Sequence, residues 1–365
     1  MEAIAGSNYL SLDDSAQLEL AMTHPESFLS QSGSLTAHLT AIDECQKAPP
    51  LFPALKLAVK ANKRPGQFLL TGSVRFTSRK AIQESLTGRI LNLEMLPFSV
   101  SEIMGESLND LTQWAGKSQH ELNSLFERRQ KIITTSIYHK YLQCGGLPGI
   151  CFLRKASHRN ARFKAHVETL LQRDIRFVLE TTLPYNNLLD LLVFLARQQG
   201  QPFSYTQASR TCRISQNTLR KIIQAYEALF LIRRLSPLGY RRADVFFLED
   251  QGMATFLAGS NPGTDILRFL YSQLLSQSHY KFMNESRMGY FESKAGAVVP
   301  LVIEIKQKFY GILPTRNETP ERTVLGGAEA FLREHKEGTI FIVSPFPRAK
   351  RITEKIIQVP LLGAV

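Results

Sequence analysis

Four short apolar stretches lie in the first hundred residues, the first three closing on small or polar residues, and helical stretches separate them. The apolar stretches are residues 9–14 (YLSLDD), 38–44 (HLTAIDE), 67–73 (QFLLTGS) and 89–95 (RILNLEM); the helical ones include 51–61 and 79–87. Strands that alternate with helices need crossover connections, which predicts an α/β fold with a mostly parallel sheet. In such sheets the polar residues at the carboxyl ends of the strands face the ligand crevice.

The second stretch ends in Asp43-Glu44. Phosphoryl-transfer sites use this arrangement: the first acid holds Mg²⁺, directly or through water, and the second orients an attacking water. The other reading is a solvated turn after a core strand. The third stretch ends in Thr71-Gly72-Ser73, where a hydroxyl could sense a phosphate or position a water.

Composition narrows the class. The 365 residues predict two or three domains, and 44% hydrophobic with 21% charged residues excludes wholesale disorder. The longest apolar run, residues 188–196, contains Asp190 and falls well short of the roughly 20 residues of a bilayer span, so no membrane partner is expected. The first residues lack the basic and apolar regions of a secretory signal. Cys45, Cys144, Cys151 and Cys212 are scattered, without a CxxC pair, which predicts reduced thiols in a cytoplasmic protein and no zinc site. The net charge of +12 favours a polyanionic partner such as nucleic acid.

Taken in order, YLSLDD, LTAIDECQKAP, LFPALKLAVKANKRPGQFLLTGS and ESLTGRILNLEMLPFSVSE resemble the bacterial and archaeal AAA+ ATPase family that carries a C-terminal domain of unknown function with a nuclease-like core. CGGLPG (144–149) and LLQRDIR (170–176) resemble the lid region of that family. The resemblance implies ATP and Mg²⁺ as cofactors. It implies that Asp43 and Glu44 are the Walker B acids, with Asp43 on the metal, that Ser73 is the sensor residue, and that Arg89 acts on phosphate; a salt bridge at a strand start is the other reading of Arg89. It also raises homo-oligomer formation or another protein partner.

A nucleotide site of this class needs GxxxxGK[ST] after its first strand. The nearest approach is Gly116-Lys117-Ser118, but Leu111 stands where the leading glycine belongs, and the motif follows the last strand. By the resemblance, the parallel sheet lacks its first strand and the phosphate loop, which leaves two inner strand edges unpaired. Three explanations compete: a start placed too late, a decayed relic, or another segment that fills the gap.

The expected domains are an incomplete AAA+ core (1–98), a helical lid (99–185), a winged helix-turn-helix (186–250) and an α/β nuclease-like domain (251–365). In the third, three helices precede a hairpin, and the third helix would present Gln216, Asn217, Arg220 and Lys221 to DNA, with Arg241 and Arg242 on the wing. Residues 186–235 hold seven basic residues and two acids, which suits phosphate contact; a packing module is the other reading. The last domain resembles a PD-(D/E)xK nuclease core, which needs an Asp and then an acid-x-Lys on the next strand. The family pattern puts Pro300 at the Asp, Leu313-Pro314-Thr315 at the acid-x-Lys, and Arg268 near the helix acid, so the domain is expected to be inactive. A competing register uses Glu304-Ile305-Lys306. The expected function is thus an AAA+ ATPase-family protein, truncated or degenerate and unable to hold ATP in the usual way as written. The alternative is a non-enzymatic DNA- or protein-binding module, and an active metal nuclease is a third possibility.

Overall fold

The computed structural model describes residues 7–31, 38–75, 88–240 and 243–364. Two compact units divide the chain. One runs through Met95 and takes in Gln224–Phe230; the other comprises Leu96–Ile223 and Leu231–Val365.

The first unit is built on three parallel strands, β1 (Ser7–Ser11), β2 (Leu39–Asp43) and β3 (Phe68–Leu70), in the order β1-β2-β3. Helices α1 (Ser15–Thr23), α2 (Pro25–Gln31) and α3 (Leu51–Ala61) make the connections. β2 buries Thr40, Ala41 and Ile42 in succession, as a central strand covered on both faces must. Its core partners include Leu10, Phe28, Leu29, Leu51, Phe52 and Leu55. The first strand stops at Ser11, earlier than the sequence pattern suggests, because Asp14 serves as a helix cap. Its Oδ1 accepts the amides of Ala16 and Gln17 at 2.9 and 3.0 Å.

The expected strand at residues 89–95 does not form; residues 90–99 are irregular. A strand requires a ladder partner. Among the described residues β3 pairs with β2 alone, by the register Thr40↔Phe68 to Ile42↔Leu70. The expected helix at 79–87 lies outside the described residues.

The second unit opens with helices, among them α4 (Gln119–Ile132), α5 (Thr135–Cys144) and α6 (Ala156–Thr169). A π turn (Leu170–Asp174) carries α6 into a last short helix, Ile175–Val178. Three further helices follow: α7 (Tyr185–Arg197), α8 (Tyr205–Cys212) and α9 (Gln216–Ala228), the last of which passes into the first unit at Gln224. Ser204 caps α8 through the Gln207 amide, and Ser215 accepts the Thr218 amide at the start of α9, each at 3.2 Å. The antiparallel pair β4 (Ile232–Pro237) and β5 (Val245–Leu248) comes next.

The remainder is α10 (Gln251–Ala258), α11 (Asp265–Ser276), β6 (Ser286–Glu292), β7 (Val298–Ile305), β8 (Lys308–Pro314), α12 (Arg322–Glu334), β9 (Thr339–Ser344), β10 (Lys350–Arg351) and β11 (Ile356–Pro360). One mixed sheet of eight strands runs β10-β11-β9-β8-β7-β6-β4-β5. Along β9, Ile340 and Ile342 join the core under α12, while Phe341 and Val343 join the core under α11 and the early helices. Trp114 is 2% exposed and meets the Phe126 and Phe341 rings edge-on at 5.4 and 5.1 Å, pinning the helical layer to the strands. The expected division at residue 250/251 falls inside this sheet. β4 pairs in parallel with β6 (Ser236↔Gly289, Pro237↔Tyr290), so the hairpin and the last strands form one layer. Among the described residues no helix is long and apolar enough to cross a membrane.

Candidate functional site

The carboxyl ends of the three parallel strands bring the sequence-flagged acids together with the residues after β3. Ser11 stands opposite Asp43 in register, and the chain leaving β3 returns across β2 as Thr71 donates its amide to Ile42 O at 3.0 Å. Thr71 Oγ1 donates to Asp43 Oδ1, and Tyr9 Oη donates to Oδ2 at 3.0 Å. These donors, the Thr71 hydroxyl foremost, hold the Asp43 carboxyl below the usual carboxylate range against the opposing effect of partial burial. Asp43 is therefore an ionised, oriented, half-buried carboxylate at neutral pH.

Glu44 adopts a left-handed backbone (φ 55°), which turns the chain out of the strand and into a tight turn at Cys45–Lys47. Gln46 then lies 6% exposed beneath it. Its Nε2 donates to Glu44 Oε2 at 2.5 Å and to Ser73 Oγ at 3.1 Å. The second acid and the expected sensor hydroxyl thus share one amide. Lys47 pairs with Asp13 across the same rim. Sequence reasoning missed Tyr9, Gln46 and Lys47. Gln46 and Lys47 directly follow Asp43-Glu44-Cys45 in the chain, and that adjacency was the available signal.

Arg89 lies in an exposed turn. Among the described residues, no group of three or more His, Cys, Asp or Glu side chains could hold a metal by itself. Mg²⁺ commonly binds through one or two carboxylates with waters and substrate phosphates. Asp43, ionised and held by neutral donors, fits such a metal as a single carboxylate or through water.

Leu91, Leu93 and Met95 alternate along the chain and are 67%, 63% and 85% exposed, and Leu69 on β3 is 40% exposed. Alternating exposed apolar side chains are surface that a partner segment would cover.

Gly116-Lys117-Ser118 sits in the second unit. Ser118 caps α4 in a reciprocal box with Glu121, its amide donating to Glu121 Oε2 at 2.8 Å. The Arg351 guanidinium donates to Lys117 O at 2.6 Å. These groups line an open cleft of about 550 Å³ together with Glu337 and Lys355.

On α9, Gln216, Asn217, Arg220 and Lys221 are all exposed, while Leu219, Ile222 and Ile223 are buried. The Arg220 guanidinium lies 4.0 Å over the Tyr205 ring. Tyr205 Oη donates to Asp244 Oδ2 at 2.5 Å, and Arg234 donates to the other oxygen at 2.8 Å. Arg241 and Arg242 lie outside the described residues.

In the last third, the Leu301↔Ile312 pair of β7 and β8 puts Pro300 and Leu313 on adjoining strands, one step further along. Thr315 is buried and donates Oγ1 to Glu321 Oε2 at 2.7 Å. Arg268 is 2% exposed and pairs with Asp265 at 2.5 Å. Glu304 lies near the end of β7, and Lys306, beyond it with φ 49°, meets Glu285 at 3.0 Å between two exposed side chains. The four cysteines are buried thiols.

Residues 2–104 match a family model described as an AAA domain, and residues 135–262 match one described as a domain of unknown function. The N-terminal part of the chain is thus an AAA-like domain. Uncharacterised proteins of Mycobacterium bovis and Mycobacterium tuberculosis are each 24% identical over 338 residues, covering 88% of this chain and 68% of theirs. No solved structure matches.

Proposed function

We propose that the protein is an AAA-type ATPase chain whose strand ends supply the magnesium and water side of an ATP site, and whose phosphate-gripping loop is not contained in these 365 residues. The observation that carries this is the paired arrangement at the strand ends. Asp43 is ionised by Thr71 and Tyr9, and Glu44 is tied to Ser73 through Gln46. The AAA domain match over residues 2–104 supports it. Asp43 would hold Mg²⁺ or its water, and Glu44 would orient the attacking water. Ser73 would register the terminal phosphate through Gln46. Arg89 is the proposed additional phosphate contact. Among the described residues β3 pairs with β2 alone, and Leu91, Leu93 and Met95 are exposed, which supports a sheet completed by one more strand. Electron paramagnetic resonance with Mn²⁺ and ATP tests the metal assignment. Millimolar-range Mn²⁺ binding that Asp43→Asn removes supports it, and binding unchanged by that substitution defeats it.

A second reading rests on α9. Its exposed Gln216, Asn217, Arg220 and Lys221, with Arg220 steadied by Tyr205, support a DNA contact by a winged helix-turn-helix. In this reading the nuclease-like domain is non-catalytic, since Pro300, Leu313, Thr315 and Arg268 offer no carboxylate. Duplex binding that Arg220→Ala with Lys221→Ala weakens tenfold supports the contact; binding indifferent to the pair removes it.

A further inference from the structure

A dense run of positive charge lies not on α9 but on α6 and its flanks. Between Arg154 and Val167 the chain carries Arg154, Lys155, Arg159, Arg162 and Lys164, two histidines, and no acid. Arg159 turns inward, 8% exposed, and donates to Leu153 O and Arg154 O at 3.0 and 2.9 Å. Phe163 and Val167 are buried on the same side. That orientation leaves Arg154, Lys155, Arg162 and Lys164 exposed, and Arg176 is exposed on the short helix beyond the π turn.

A basic helix can be no more than a solvated surface, and α4 shows what that looks like. There Glu121 and Glu127 precede Arg128, Arg129 and Lys131, so two acids offset most of the charge of three bases. α6 offers little such balance. Lys164 has Glu168 at 3.9 Å, with both side chains solvent-exposed, and Arg173 is matched by Asp174 at 2.7 Å. Arg154 through Arg176 spans roughly 30 Å at the helical rise, close to the roughly 34 Å of one duplex turn. The face is nearly all cation, with few amide side chains of the kind that read base edges.

We propose that the exposed face of α6 binds the phosphate backbone of duplex DNA without sequence preference, through Arg154, Lys155, Arg162 and Arg176. This surface is separate from the α9 face and does not depend on α9 reading bases. Each phosphate contact releases condensed counterions, so binding weakens steeply with salt.

Fluorescence anisotropy with a labelled 30-base-pair duplex of arbitrary sequence, from about 50 to 200 mM salt, tests the assignment. Replacing Arg154, Lys155, Arg162 and Arg176 together by Ala is expected to weaken binding at least tenfold at the low end. It should also flatten the slope of log affinity against log salt by about 3 to 4, since each neutralised phosphate accounts for about 0.9 of that slope. The R154K, R162K and R176K replacements together should retain wild-type binding, because charge rather than shape is used; circular dichroism confirms that each variant is folded. Arg220→Ala with Lys221→Ala should leave the α6 contribution to the slope in place. The proposal fails if the fourfold Ala variant binds duplex with unchanged affinity and slope. It also fails if the protein ignores duplex and these residues instead bind phosphatidylserine vesicles.

Discussion

At the scale of single residues, two buried or half-buried aspartates have been pushed in opposite directions. Asp43 is lowered chiefly by the Thr71 hydroxyl. Thr71→Val removes that donor, so the Asp43 titration midpoint, followed by carbon-13 NMR, should move up toward the ordinary carboxylate value. Asp250, 1% exposed, is raised by burial to about 6, although its oxygens accept the amides of Gly146 and Met253 at 2.7 Å each. A native carboxyl that ionises later than its unfolded counterpart binds more protons between the two pKa values. Stability from this group is therefore fully present below about pH 4 and is lost as pH rises through about 6, by on the order of 3 kcal/mol. Urea denaturation of the wild type should show that decline, and Asp250→Asn should lack it. Asp43-Glu44 was legible in the sequence because a strand period stops there. Asp250 was not, since its role depends on Gly146, 104 positions away.

At the scale of elements, close approaches explain which turns resist change. Gly145 has φ 64°, and a Cβ there would lie 2.3 Å from the Asp250 carboxylate. Gly145→Ala should cost more than about 1 kcal/mol, read as a lowered thermal midpoint. The stretch at 89–95 behaves differently. Its alternation of Ile90, Asn92 and Glu94 with Leu91, Leu93 and Met95 is a strand pattern, yet no ladder forms, because pairing is a property of two segments. Replacing Leu91, Leu93 and Met95 by Ser should leave the thermal midpoint within the change expected of surface sites and reduce self-association in sedimentation velocity. A large drop in the midpoint would show that these side chains are buried in the folded protein.

For the whole molecule, what the sequence revealed was local. The parallel character of the sheet that holds β1, β2 and β3 and the three helices before a hairpin were readable from period and punctuation. The joining of the hairpin to the C-terminal strands was not. It rests on Ser236 and Pro237 meeting Gly289 and Tyr290, more than fifty residues on, where a Cβ on Gly289 would lie 2.2 Å from Ser236 O. No turn signal encodes such a contact. The proposed function concerns the other unit: Asp43 and Glu44 would be the acids of an ATP site, and the grip on the phosphates would not come from these residues. Isothermal titration of the 365-residue chain with Mg-ATP tests it most directly. Binding should be no tighter than millimolar, and weaker still with Asp43→Asn. Micromolar binding that survives Asp43→Asn would contradict it.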